Sequence, residues 1–431
     1  MQYYSTNKQS AVADFKEATI KGLAPDNGLY FPETIPVIGK EFFDNIASLS
    51  KEEIAFRVIQ PYVGNTIPEQ VLRGIVAETI NFDFPLVKIT EDIFSLELFH
   101  GPTLAFKDVG ARFMSRCLGH FVAGDDRDVT VLVATSGDTG GAVASGFLNV
   151  EGVNVVILYP SGKVSSVQEQ QLTTLGNNIC AIEIDGNFDD CQRMVKEAFT
   201  DKELNDELFL TSANSINVAR WLPQQFYYFY AYQQWADKSN LPVVCVPSGN
   251  FGNICAGLLA HISGLPVKHF IAACNANNAV AEYLQTGIFN AKPALSTMSN
   301  AMDVGNPSNF VRILELFHHQ YPAIKNMMSG YSISDADTKA TLKEVYEKYQ
   351  YLCDPHGAVA FNALQQYLST HTGDKGIMLE TAHPVKFYDI VEPVIQQKVE
   401  LPEAIRAIMT KKKESILMKP SYNMLKEYLL S

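Results

Sequence analysis

Val131-Leu132-Val133-Ala134-Thr135-Ser136-Gly137-Asp138-Thr139-Gly140-Gly141-Ala142 begins as a continuous apolar run and ends in a glycine turn that opens a helical pattern. A run without polar alternation suits a strand covered on both faces, as in a parallel sheet. Glycines in the turn permit positive φ, so successive N–H groups can converge on one anion at the helix start. The same grammar returns in Val244-Cys245-Val246-Pro247-Ser248-Gly249-Asn250-Phe251-Gly252-Asn253-Ile254. Neither turn ends in the G-K-[S/T] of a P-loop, and neither is G-x-G-x-x-G, so each suits one small phosphate rather than a nucleotide. A single turn of this kind is as readily structural; a pair points to two anions.

Further apolar runs at 93–99, 129–135, 153–159, 179–184, 243–247, 267–273 and 376–381 read as strands. Helical periods at 142–148, 189–199 and 253–262 separate some of them, as in an α/β protein whose ligands gather at the strand C-termini. Residues 1–95 read as a mainly helical N-terminal region: Val12, Phe15, Ile20 and Leu23 share one helix face, and amphipathic segments follow around 54–58 and 71–80. A composition break at 235–242 divides the rest into α/β units at 96–235 and 236–431.

Lys107 closes the stretch Phe99-His100-Gly101-Pro102-Thr103-Leu104-Ala105-Phe106 and opens a helix-like run. A lysine in apolar surroundings is usually structural, snorkelling its head to water. Desolvated beside two anion turns, its amine instead becomes a nucleophile or base near neutral pH, the chemistry of a Schiff-base lysine. Asn214-Ser215-Ile216-Asn217-Val218-Ala219-Arg220 adds a third polar cluster. Its Asn and Ser residues make good helix N-caps, but the dipole disfavours Arg220 in the first turns, which points to a local anion.

Composition narrows the class. In 431 residues, 34 basic and 47 acidic side chains leave a net charge of −13, which argues against nucleic acid as a partner. Seven scattered cysteines without a C-x-x-C pair indicate neither a zinc site nor a disulfide framework. His318-His319 and Asp354-Pro355-His356 lack supporting ligands at zinc spacing, so no metal is expected. The aromatic run at 221–235 reads as a buried core helix, and Lys411-Lys412-Lys413 as a solvated face. No apolar run approaches a membrane span, and Asp14 and Glu17 interrupt any leader-like core, so a cytoplasmic protein is expected.

The Lys107 stretch and the two glycine turns resemble the threonine synthase family, pyridoxal-phosphate enzymes of the tryptophan-synthase-like fold (fold type II). The resemblance runs nearly end to end. It includes Gly28-Leu29-Tyr30, Asn214-Ser215-Ile216-Asn217, the run from Asn300 to Asn309, Asp354-Pro355-His356-Gly357-Ala358 and Thr381-Ala382-His383-Pro384. The long N-terminal region is similar to the branch found in enteric bacteria and yeast.

The resemblance implies two open, mostly parallel sheets with helices on both faces, plus the helical N-terminal region. It implies that Lys107 holds pyridoxal 5′-phosphate and shuttles protons. Gly249, Asn250, Phe251, Gly252 and Asn253 match the loop around the cofactor phosphate, and Thr381 matches the hydroxyl on the pyridine nitrogen. Ser136, Thr139, Asn214, Ser215 and Arg220 match substrate-binding positions. The implied reaction turns O-phospho-L-homoserine and water into L-threonine and phosphate, the last step of threonine biosynthesis, in a monomer or homodimer. The alternatives are another lyase of the fold, such as a serine/threonine dehydratase, and a non-catalytic homologue that binds phosphorylated ligands. Asp138 falls where many enzymes of the fold place Asn beside the cofactor's 3′-oxygen. An ionised carboxylate would repel a phenolate, so Asp138 must be protonated, turned away or aimed at another donor.

Overall fold

The computed structural model describes residues 1–124 and 128–431. Six strands lie in the order Met328–Ser332, His269–Cys274, Val243–Pro247, Gly376–Glu380, Ile93–Glu97 and Leu86–Lys88. All neighbours are parallel except the last pair. A second, wholly parallel sheet has the order Ile416–Met418, Ile179–Ile184, Val153–Pro160, Val129–Ala134 and Phe209–Thr211. The central strands Val129–Ala134, Val243–Pro247 and Gly376–Glu380 are buried along their whole length. Their near-continuous apolar sequence is what two covered faces require.

All seven expected strands form, with ends shifted by a residue or two. Among the described residues, six more are not legible in the sequence. Tyr3–Ser5, Tyr30–Pro32, Leu86–Lys88, Phe209–Thr211 and Ile416–Met418 have three residues each, too few to show a period. Met328–Ser332 mixes Ser and Gly into an edge strand. The sheets also exchange their ends relative to the expected units at 96–235 and 236–431. Ile93–Glu97 joins the sheet of the second unit through Gly376–Glu380, and Ile416–Met418 joins the sheet of the first through Ile179–Ile184.

The N-terminal region contributes the helices Phe15–Lys21, Lys40–Asn45, Lys51–Val63 and Glu69–Thr79, and a small antiparallel pair, Tyr3–Ser5 with Tyr30–Pro32. Phe15 meets Phe113 and Phe121 of the helix Lys107–Val122, and Phe31 stacks on Trp221 at 5.9 Å. This region therefore shares the main apolar core. The aromatic segment forms the helix Gln225–Gln234, with every residue from Gln225 to Tyr232 buried. It packs between Lys51–Val63 and Gly252–Ile262 as a core helix. Among the described residues, no helix is long and apolar enough to cross a membrane.

Candidate active site

Lys107 is the first residue of the helix Lys107–Val122. The loop before it is bonded to the chain leaving the strand Gly376–Glu380. Leu98 N–H donates to Glu380 O at 2.9 Å, Phe106 N–H to Thr381 O at 2.8 Å, and His383 N–H to Leu104 O at 3.0 Å. Thr381 and Lys107 are thereby held side by side at strand C-termini, where parallel sheets open to ligands. Asp108 folds back on the loop, accepting from Thr103 N–H at 2.9 Å and Thr103 Oγ1–H at 2.5 Å. Burial pushes the Lys107 amine below its ordinary pKa; Asp138 opposes this, while Lys386 and Arg220 add to it.

The turn at 136–141 links the strand Val129–Ala134 to the helix Asp138–Phe147. Gly137 has φ 140°, and a Cβ there would come within 2.5 Å of the Gln168 side chain. Thr135 Oγ1 accepts from Gly137 N–H at 3.0 Å and Gly140 N–H at 2.9 Å, which fixes the turn internally. Asp138 is aimed at other donors: Lys386 Nζ and Gln168 Nε2 each lie 2.8 Å from its Oδ1. Burial alone would raise the Asp138 pKa. The charges of Lys386 and Lys107, with the two hydrogen bonds, outweigh it and hold the carboxyl well below the usual range. Lys386 also donates to Thr103 O at 2.8 Å, so one wholly buried amine ties this turn to the Lys107 loop. Ser136 and Thr139 sit in the same turn, partly accessible. Sequence reasoning missed Lys386, although it stands only two residues beyond His383-Pro384.

The turn at 248–253 is built differently. Phe251 takes the left-handed conformation, φ 61°, as the cap of the helix Gly252–Ile262. A Cβ on Gly249 would lie 2.5 Å from the Met302 Cα, so only glycine fits against that backbone. Asn250 accepts from Ser308 N–H at 2.6 Å and donates to Ser215 Oγ at 2.8 Å. Asn253 Oδ1 accepts from Tyr228 O–H at 2.8 Å, whereas its Nδ2 is buried without a partner. The Asp354-Pro355-His356 segment supports this turn from behind. Asp354 caps the helix Pro355–Thr370 and accepts from His356 Nδ1–H at 2.9 Å. His356 Nε2 accepts from Ala301 N–H at 3.2 Å, next to the residue that crowds Gly249. Both ring nitrogens are engaged within the protein. Asp354 N–H in turn donates to Glu380 Oε1 at 2.6 Å, and Glu380 Oε2 has no partner. Burial, then the neighbouring Asp354 charge, raises the Glu380 pKa well above the ordinary value.

Arg220 lies in the short helix Val218–Trp221, capped by Asn217. Its Nη1 donates to Ala213 O at 2.6 Å, and its Nε is buried without a partner. Burial lowers its pKa to about 10, which leaves it charged at neutral pH. The guanidinium packs on the first turn of the Lys107 helix, where a Cβ on Gly110 would lie 3.1 Å from Arg220 Nε and 2.7 Å from Arg220 O. Gly110 is thus a second position the sequence did not reveal: any larger residue there displaces Arg220. Asn214 and Ser215 are partly accessible, and Ser215 joins the 248–253 turn through Asn250.

These residues fit pyridoxal phosphate: a depressed lysine, a charge-free glycine turn at a helix start, a neighbouring threonine, and unused buried donors on Asn253 and Arg220. Fold and site together define a pyridoxal-phosphate-dependent enzyme of fold type II. The family described as pyridoxal-phosphate dependent enzyme matches residues 85–379, threonine synthase N terminus matches 2–80, and threonine synthase C-terminal matches 357–429. Threonine synthase of Escherichia coli K12 is 44% identical over 407 residues, covering 94% of each chain. The crystal structure of threonine synthase from Escherichia coli superposes with a TM-score of 0.93 at 41% identity, covering 100% of this chain and 99% of that one. The PLP-bound threonine synthase of Brucella melitensis gives 0.94 at 35% identity, covering 100% and 98%. The chain belongs to the threonine synthase family.

Proposed function

We propose that this site converts O-phospho-L-homoserine and water into L-threonine and phosphate, with Lys107 as the covalent anchor of the cofactor and the carrier of protons. The observation behind the reading is a second anion site, one built on a cation. Arg220, buried with an unused Nε, sits on the first turn of the Lys107 helix, apart from the glycine turn at 248–253. A cofactor phosphate and a substrate phosphate need two such places.

Gly249, Asn250, Phe251, Gly252 and Asn253 would hold the cofactor phosphate through backbone N–H groups and the free Asn253 amide, and Thr381 would meet the pyridine nitrogen. Bound there, pyridoxal phosphate withdraws electrons from the substrate α-carbon and stabilises its carbanion. Lys107, with its pKa depressed, takes the proton from Cα and returns protons along the chain. Arg220, with Ser136, Thr139, Asn214 and Ser215, receives the phosphate as it leaves Cγ while a proton leaves Cβ. Water then supplies hydroxyl to Cβ, and Cγ ends as a methyl group. Asp138, ionised and turned to Lys386, keeps positive charge near the Lys107 amine without competing for its proton.

Arg220→Ala tests the phosphate assignment. KM for O-phospho-L-homoserine should rise by about a hundredfold, the scale of a lost charge-assisted fork, while the visible absorbance of bound cofactor stays unchanged. An unaltered KM removes Arg220 from the site. A 2-oxo acid formed from unphosphorylated threonine by the wild-type enzyme would identify a dehydratase instead.

A further inference from the structure

Arg312, on the helix Phe310–Leu316, is completely buried, and its partners are neutral oxygens. Nη1 donates to Ser215 O at 3.0 Å and Asn309 Oδ1 at 2.8 Å; Nη2 donates to Ile216 O at 2.6 Å and Tyr30 O at 3.1 Å. Its Nε has no partner, and the Trp221 ring lies 4.4 Å from the guanidinium. Among the described residues no carboxylate pairs with it. Lys386, equally buried, has Asp138. Burial lowers the Arg312 pKa to about 10, so the guanidinium stays charged. A buried cation answered only by dipoles is costly unless a counter-charge arrives from elsewhere.

Two of the four oxygens it holds, Ser215 O and Ile216 O, belong to an anion loop. Ser215 and Ile216 lie in the segment leading to Arg220. Asn309, clamped by the same guanidinium, donates from Nδ2 to Ser215 Oγ at 3.0 Å and to Asn250 O at 3.1 Å. Arg312 therefore fastens the 248–253 turn and the 214–220 segment at the point where they meet. A trans peptide points its N–H opposite to its carbonyl. Drawing Ser215 O to Arg312 thus turns the Ile216 N–H away from the guanidinium and polarises it as a donor. Tyr30 O adds the N-terminal region to the same knot.

We propose that Arg312 is a positioning residue for anion binding, fixing the two phosphate loops against each other and leaving its own charge to be balanced by a phosphate bound before them. The inference rests on the two-phosphate reading above. Inorganic phosphate is the probe, added to holoenzyme of wild type, Arg312→Met and Arg312→Lys, with the thermal midpoint followed as a function of phosphate concentration. The wild-type midpoint should rise with phosphate. In Arg312→Met the phosphate Kd should weaken about tenfold, so that the midpoint gap from wild type widens as phosphate is added. Arg312→Lys, which keeps the charge but not the fork, should retain the phosphate response and raise the KM for O-phospho-L-homoserine about tenfold. If Arg312→Met responds to phosphate as wild type does, or loses the same midpoint at every phosphate concentration, Arg312 is an ordinary structural clamp and the proposal falls. If Arg312→Met does not fold, a lysine variant with unchanged KM or with no phosphate response overturns it equally. A wild-type holoenzyme indifferent to phosphate would instead count against the two-phosphate reading itself.

Discussion

The glycine turns at 136–141 and 248–253 start alike, Ser136-Gly137-Asp138 against Ser248-Gly249-Asn250, each after a buried parallel strand. They differ in what fills them. The first is occupied by the protein's own charges: Asp138 takes Lys386 and Gln168, and Gly137 is pressed on Gln168. The second contains no charged residue, leaves an amide donor unused, and is braced from behind by Met302, Ala301 and His356. One carboxylate in place of an amide converts an anion receptor into an ion-pair socket. The second turn keeps free donors that suit a ligand phosphate, while the first offers only its partly accessible Ser136 and Thr139 side chains.

The largest effect should come from emptying the socket. Lys386→Met leaves the Asp138 carboxylate buried without its main partner, and denaturant unfolding should show a loss of about 3–5 kcal/mol. The double variant Asp138→Asn with Lys386→Met should recover most of it. Equal losses in the single and double variants would mean that the two turns do not differ by this pair. Gly249→Ala comes next. Its Cβ meets backbone rather than a flexible side chain, so cofactor retention on dialysis should fall about tenfold or more, with smaller loss of fold. Retention equal to wild type would show that the second turn tolerates displacement.

Glu380 gives the smallest and most specific contrast. Its folded pKa is raised, so its contribution to stability is complete below the unfolded carboxyl value, near 4.3, and lost as pH rises toward the folded value. Glu380→Gln removes the ionisation. Its thermal midpoint should equal wild type near pH 4 and exceed it by a few degrees near pH 9. Asp138 has the opposite sign: its depressed pKa stabilises above the unfolded carboxyl value and is lost on acidification. A flat difference between Glu380→Gln and wild type across that range would show that burial does not raise the Glu380 pKa.

Much of this was legible in sequence because the parallel strands are long apolar runs and their exits are glycine turns. Lys107, the turn from Gly249 to Asn253 and the Asn214 to Arg220 segment stand out as such local patterns, whereas Thr381 is marked only by the family resemblance. What escaped depends on contacts far apart in the chain. Lys386 meets Asp138 across 248 positions, and Arg312 reaches Tyr30 and Ser215 across 282 and 97; neither is marked by its neighbours in sequence. The short edge strands escaped because three residues carry no period, and the exchange of sheet ends because pairing is set by tertiary packing.

The most direct test of the account is incubation of O-phospho-L-homoserine with wild type and Lys107→Ala, scoring phosphate and threonine together. The wild-type enzyme should release both in equal amounts, and the Lys107→Ala variant should form neither above background. Threonine formation by the variant at the wild-type rate, or phosphate release from wild type without threonine, would contradict it.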